Sequence, residues 1–171
     1  MSKTLGIFVM FALFALAAPA QGQVVAIGAS NTDGWGVGRA AAWPAQLETR
    51  LHADGYPVTI RNAGISGETT VEMLARLDSD VPAGTRVVLF DSGGGLFNNW
   101  RTGVERGQGP RDIAAIKARL AAERITVIDV HTNLGMPPEL LQADHLHLTP
   151  EGHARVAARL APQVEAALGR K

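Results

Sequence analysis

The chain has 171 residues, 46% of them hydrophobic, which is enough for one domain with a core and too apolar for a disordered chain. Lysine plus arginine equals aspartate plus glutamate at 16 each, so there is no basic surplus for nucleic acid and no acidic tail. Cysteine is absent, which excludes disulfides and a lipid-modified cysteine alike.

The N-terminus reads as a targeting segment. Lys3 gives a positive start, Leu5 to Ala17 is an apolar run, and Ala18-Pro19-Ala20 supplies the small residues of a cleavage site. The run is short for a bilayer span, which needs about 20 apolar residues. The expectation is a signal peptide over residues 1–20 and a single domain over 21–171, secreted or periplasmic, with no stable membrane insertion after cleavage.

Val24 to Ile27 is a short run rich in Val and Ile and predicts the first strand, ended by Gly28. Ser30 follows at once. Thr32 to Gly38 is too glycine-rich for a helix and reads as a loop, with Trp35 as a substrate contact or a packing group. Ala40 to Asp54 predicts a helix, with Trp43, Leu47 and Leu51 on one stripe and Pro44 in the first turn. His52 reads as a helix-end group.

Pro57 to Arg61 predicts the second strand. It runs into a loop holding Ser66 and Gly67, and Thr69 or Thr70 caps a helix that turns Val71, Leu74 and Leu77 inward. Gly67 is either a turn residue or an N–H donor to an anion. Arg86 to Phe90 predicts the third strand, and Asp91 to Arg101 a glycine-rich loop. Its three glycines lack the Lys-Ser/Thr ending of a phosphate-binding loop. Asp112 to Arg124 predicts a helix with Ile113, Ile116 and Leu120 inward, and Ile125 to Val130 the fourth strand. A last helix runs from Pro150 to about Leu168, capped by Thr149.

Strands alternating with helices predict an α/β fold: a flavodoxin-like three-layer α/β/α arrangement around a short parallel sheet of four strands in the order 2-1-3-4. The loops carrying Ser30, Gly67, Asn98 and Asp144 would then open at one edge. In Asp144-His145-Leu146-His147 a turn lets the carboxylate fold back onto His147, whose other nitrogen can face a serine. A helix-capping Asp beside surface histidines would look the same. His145, His147 and His153 with Asp144 could also hold zinc, although His153 reads better as a capping or surface group.

Four blocks, taken together, carry a resemblance. They are Gly28-Ala29-Ser30, Ala63-Gly64-Ile65-Ser66-Gly67, the Gly/Asn stretch after the third strand, and Asp144-x-x-His147-Leu-Thr-Pro-Glu-Gly-His153. They resemble, in order, the SGNH hydrolases or GDSL-type esterases, nearest the small secreted thioesterase/lysophospholipase/arylesterase group. The resemblance implies a serine esterase acting on small esters, thioesters or lysolipids, without a cofactor or metal. It implies Ser30 as nucleophile, Asp144 and His147 as the rest of a triad, and an oxyanion hole from the N–H groups of Ser30 and Gly67 and an asparagine.

The chain departs from the family pattern in places. Ala29 stands where the family has Asp, and Asn31 where it has Leu. In the third block a gapless alignment puts Gly94 at the asparagine position. A short insertion instead matches Asn98-Asn99-Trp100-Arg101-Thr102-Gly103 to the family's Asn-Asp-x-Arg-x-Gly, and Asn98 is the preferred reading. Leu134, Met136, Leu140 and Leu141 are candidates for an acyl pocket, as they are for core; with Trp35, Met136 and Leu140 are taken as substrate-binding. The alternative to an esterase is a catalytically degenerate binding module on the same fold.

Overall fold

The computed structural model describes residues 24–169. The expected signal peptide over 1–20 lies outside the described residues. The four strands are β1 (Val24–Gly28), β2 (Ile60–Gly64), β3 (Val87–Phe90) and β4 (Thr126–Asp129). All pair in parallel, in the order β2-β1-β3-β4, with Val24 level with Ile60 on one side and with Val87 on the other. The expected sheet order is the observed one.

Successive side chains of a strand face opposite sides of the sheet, and each side has its own core. Val24 and Ala26 join Trp43, Leu47 and Leu51 of α2 (Trp43–Ala53) and Val156, Leu160 and Val164 of α7 (Pro150–Leu168). Val25 and Ile27 join the opposite layer: Met73 of α3 (Thr70–Ala75), Leu77 of α4 (Leu77–Asp80), and Ile116 and Leu120 of α6 (Gln108–Ala122). Helices cover both faces, as a sheet buried on two sides requires.

The structure corrects several local expectations. The second strand begins later than Pro57, at Ile60. The stretch after Ser30 is not all loop, since Ser30–Asp33 forms one turn of helix, α1. Val71 faces solvent, and Met73 takes the inward place. The glycine-rich stretch after β3 is a helix, α5 (Ser92–Thr102). Glycine is a poor helix former, but its small profile lets this helix lie close against the sheet and α3. A Cβ on Gly94 would sit 2.7 Å from the Ala29 Cβ. Thr69 caps α3 with a reciprocal bond to Glu72, and Thr149 caps α7.

Candidate active site

The carboxyl ends of the strands open into a cavity of about 630 Å³, the place where open α/β sheets bind ligands. Ser30 borders it from the first residue of α1. From the other loops come Gly67, Asn98 and His147. Five sequence-derived candidates thus line one space: Ser30, Trp35, Gly67, Asn98 and His147.

Asp144 does not border the cavity; it stands behind His147. Its Oδ2 lies 2.6 Å from His147 Nδ1, and its Oδ1 accepts the backbone N–H groups of Leu146 and His147, each at 3.0 Å. The bond to the His147 ring, then those backbone donors, hold the Asp144 carboxyl well below the usual carboxylate range. The carboxylate is therefore charged at neutral pH and fixes Nδ1 of His147 as a donor, which leaves Nε2 as the acceptor. The tight return of the chain requires His145 in the left-handed region, at φ 56°. The Trp35 ring lies against His147, with centroids 5.8 Å apart.

Asn31 is the residue that sequence reasoning undervalued. Its Nδ2 donates to Asn133 Oδ1 at 2.9 Å and to Leu146 O at 3.2 Å, and its Oδ1 accepts Leu148 N–H at 2.9 Å. The side chain next to Ser30 thus grips both flanks of His147, and a leucine there could make none of these bonds. The only sign in the sequence was its departure from the family pattern. A second tie joins α1 to the Gly67 loop, where Ser66 Oγ donates to Asp33 Oδ2 at 2.6 Å. Gly67 itself has φ 84°, a conformation that favours glycine.

The third block resolves into one helix face. Gly94 and Asn98 sit one turn apart on α5, and both border the cavity. Asn98 is buried, and its Nδ2 donates to Glu68 O at 2.8 Å, beside Gly67; an amide nitrogen has a second hydrogen left to give. Asn99 points elsewhere. Its Oδ1 accepts Thr70 N–H at 3.0 Å and its Nδ2 donates to Thr70 Oγ1 at 2.7 Å, which ties α5 to the start of α3.

Other candidates lie outside the cavity. Met136 packs against the α2/α7 core, and Leu140 sits in a 3-10 turn, Pro138–Leu140, whose carbonyl caps Thr149. Neither lines the cavity; Trp35, Phe97, Leu134 and Leu146 form its apolar wall. His153 is not a surface group. It is fully buried, and its Nδ1 accepts the Trp43 N–H at 3.1 Å, which removes it from any cluster with His145 and His147.

Asp91 was not anticipated. It lies at the cavity floor, 2% exposed, with Oδ2 accepting from Thr32 Oγ1 at 3.3 Å and Thr132 Oγ1 at 3.2 Å. Burial pushes its carboxyl up to about 6. Its Oδ1 has no hydrogen-bond partner among the described residues.

A four-stranded parallel sheet of this order, with these strand-end loops, is the three-layer α/β/α scaffold of SGNH hydrolases. Residues 26–116 match the GDSL-like Lipase/Acylhydrolase family, and the chain belongs to that family. It is 27% identical over 126 residues to Esterase TesA of Pseudomonas aeruginosa, a match covering 70% of this chain. The chain spans about 60% of the length of that relative. The fold is also that of the crystal structure of TesA (TM-score 0.71, 21% identity, 84% of this chain and 98% of that one). It is shared by the psychrotrophic esterase EstA from Pseudoalteromonas sp., inhibited by monoethylphosphonate (TM-score 0.72, 17% identity, 86% and 100%).

Proposed function

We propose that the protein is a secreted serine esterase. One observation carries the reading: Ser30, His147, Gly67 and Asn98 border a single cavity, with Asp144 bonded to the far nitrogen of His147. Serine's hydroxyl is a weak nucleophile and needs a base. In this reading His147 Nε2 takes the Ser30 proton as Oγ attacks an ester or thioester carbonyl. Asp144 stabilises the imidazolium that forms.

The negative charge on the former carbonyl oxygen is met by the N–H groups of Ser30 and Gly67 and by the spare hydrogen of Asn98 Nδ2. His147 then gives its proton to the leaving group. A water, activated by the same imidazole, releases the acyl group from Ser30. Small esters, thioesters and lysolipids are the proposed substrate range, and the cavity's apolar wall supports an acyl chain. Export with loss of residues 1–20 belongs to the same proposal; intact mass of the exported protein should show a chain starting near Gln21.

The test is turnover of p-nitrophenyl acetate by the wild type and by Ser30→Ala. The variant should lose at least about 10³-fold in kcat with an unchanged melting curve. Most of the activity surviving in a folded Ser30→Ala protein would overturn the serine mechanism. The second reading, a degenerate binding module, is favoured by Gly94 and Ala29 facing each other where the family pattern has polar residues. A wild type with no activity on short esters would support it.

A further inference from the structure

The cavity holds a charged group that ester hydrolysis alone leaves unused. Its apolar wall is unusually exposed, with Trp35 at 56% and Leu134 at 70%. Arg101 of α5, one turn after Phe97, also lines the cavity. Its Nη2 lies 3.9 Å from where a Cβ on Gly67 would be, and its Nε donates to Asn98 Oδ1 at 3.4 Å. The guanidinium therefore stands beside the proposed oxyanion donors.

Arg101 has no ion pair among the described residues. Several surface arginines also lack an ion pair, but Arg101 is the arginine that lines the cavity. Asp91, the carboxylate in the cavity lining, is held at the floor by Thr32 and Thr132, and Asp144 is committed to His147. A guanidinium offers a planar fork that fits carboxylate and phosphate oxygens with two parallel bonds. An unpaired one in the lining of a cavity that also offers Trp35 and Leu134 as apolar contacts selects for a ligand of opposite charge.

We infer that the substrate is an ester carrying an anionic group, carboxylate or phosphate, a few bonds from the scissile carbonyl, held by Arg101 while the apolar part lies along Trp35 and Leu134. This rests on the esterase reading and adds the substrate class.

The experiment compares kcat/KM for mono-p-nitrophenyl glutarate with that for p-nitrophenyl valerate, a neutral ester of similar size. The wild type should prefer the anionic ester by about tenfold or more, in keeping with a charge-assisted bond. Arg101→Gln should bring the ratio close to one, and Arg101→Lys, which keeps the charge without the fork, should keep part of it. Arg50→Gln, on the exposed side of α2, should leave the ratio unchanged. A wild type without the preference, or an Arg101→Gln variant that retains it, overturns the inference.

Calorimetric binding of hexanoate, hexyl phosphate and hexanol gives a readout that needs no turnover. Both anions should bind more tightly than hexanol, and only to proteins with Arg101. The tighter of the two identifies carboxylate or phosphate as the group read. Equal binding of anions and hexanol overturns the inference. Arg101-dependent anion binding without turnover of either ester would instead sink the hydrolase reading alone.

Discussion

Replacing His153 with asparagine should uncover two buried titrations that oppose each other in the wild type. His153 Nδ1 accepts the Trp43 N–H in the α2/α7 interface, so the neutral ring carries its proton on Nε2. Protonating Nδ1 would set donor against donor inside the core. Burial, with the nearby His147, lowers its pKa from the ordinary 6.5 to about 4. Between those values the unfolded chain binds the proton and the folded one does not, so stability falls as pH drops from about 6.5 to 4. Asp91 has the reverse sign. Its folded pKa of about 6 lies above the ordinary 3.8, so the folded state binds the extra proton and stability is lost as pH rises through about 6. Each separation corresponds to about 3 kcal/mol. The two windows overlap, and their contributions oppose each other. His153→Asn keeps an acceptor for Trp43 and removes one titration. Relative to wild type it should gain about 3 kcal/mol on acidification across the window, and Asp91→Asn should lose as much. Urea unfolding followed by tryptophan fluorescence at a series of pH values measures both differences. Difference curves that are flat, or that share a sign, would refute the argument.

Asn31→Leu restores the residue usual in the family, yet it should cost about 1–3 kcal/mol by stranding the Leu148 N–H. It should also lower kcat about 10–100-fold by loosening His147 relative to Ser30, read by steady-state kinetics and thermal melts. Asn98→Ala should cut kcat by about 10²–10³ with KM little changed on a short ester, as expected for a lost oxyanion donor. Asn99→Ala should act on stability, by about 1–3 kcal/mol, because the Thr70 N–H loses its acceptor, and should spare kcat. Equal, small kinetic effects at the two asparagines would count against Asn98 as a donor.

The sheet was legible because its evidence is periodic. Apolar β-rich runs alternate with amphipathic helices, and only a parallel sheet uses that pattern. The Asp144–His147 turn was legible because the two residues are close in sequence and need no tertiary information. What was lost depends on contacts between distant segments. The three glycines after β3 look like loop by propensity, yet Gly94 packs on Ala29 and Gly95 near Met73, and those contacts outweigh it. Asp91 looks like an ordinary residue at a strand end until Thr32 and Thr132 close over it. His153 did leave a signal: it shares a helical stripe with Val156, Leu160 and Val164, all buried. Read as one stripe, those positions put an imidazole in the core. Met136 and Leu140 were read for their apolarity alone, which does not distinguish a core face from a cavity wall.

The grip of Asn31 on Leu148 spans 117 residues and ties the first loop of the domain to the entrance of its last helix. During synthesis Ser30 emerges early, and the His147 proposed as its base follows only when nearly the whole domain has been made. The same final helix completes the core layer under α2, so the site and that layer depend on one element. If the proposed triad holds, a nascent or clipped chain lacking α7 should be inert rather than slow. On the proposed mechanism, activity would then report molecules whose last helix is in place.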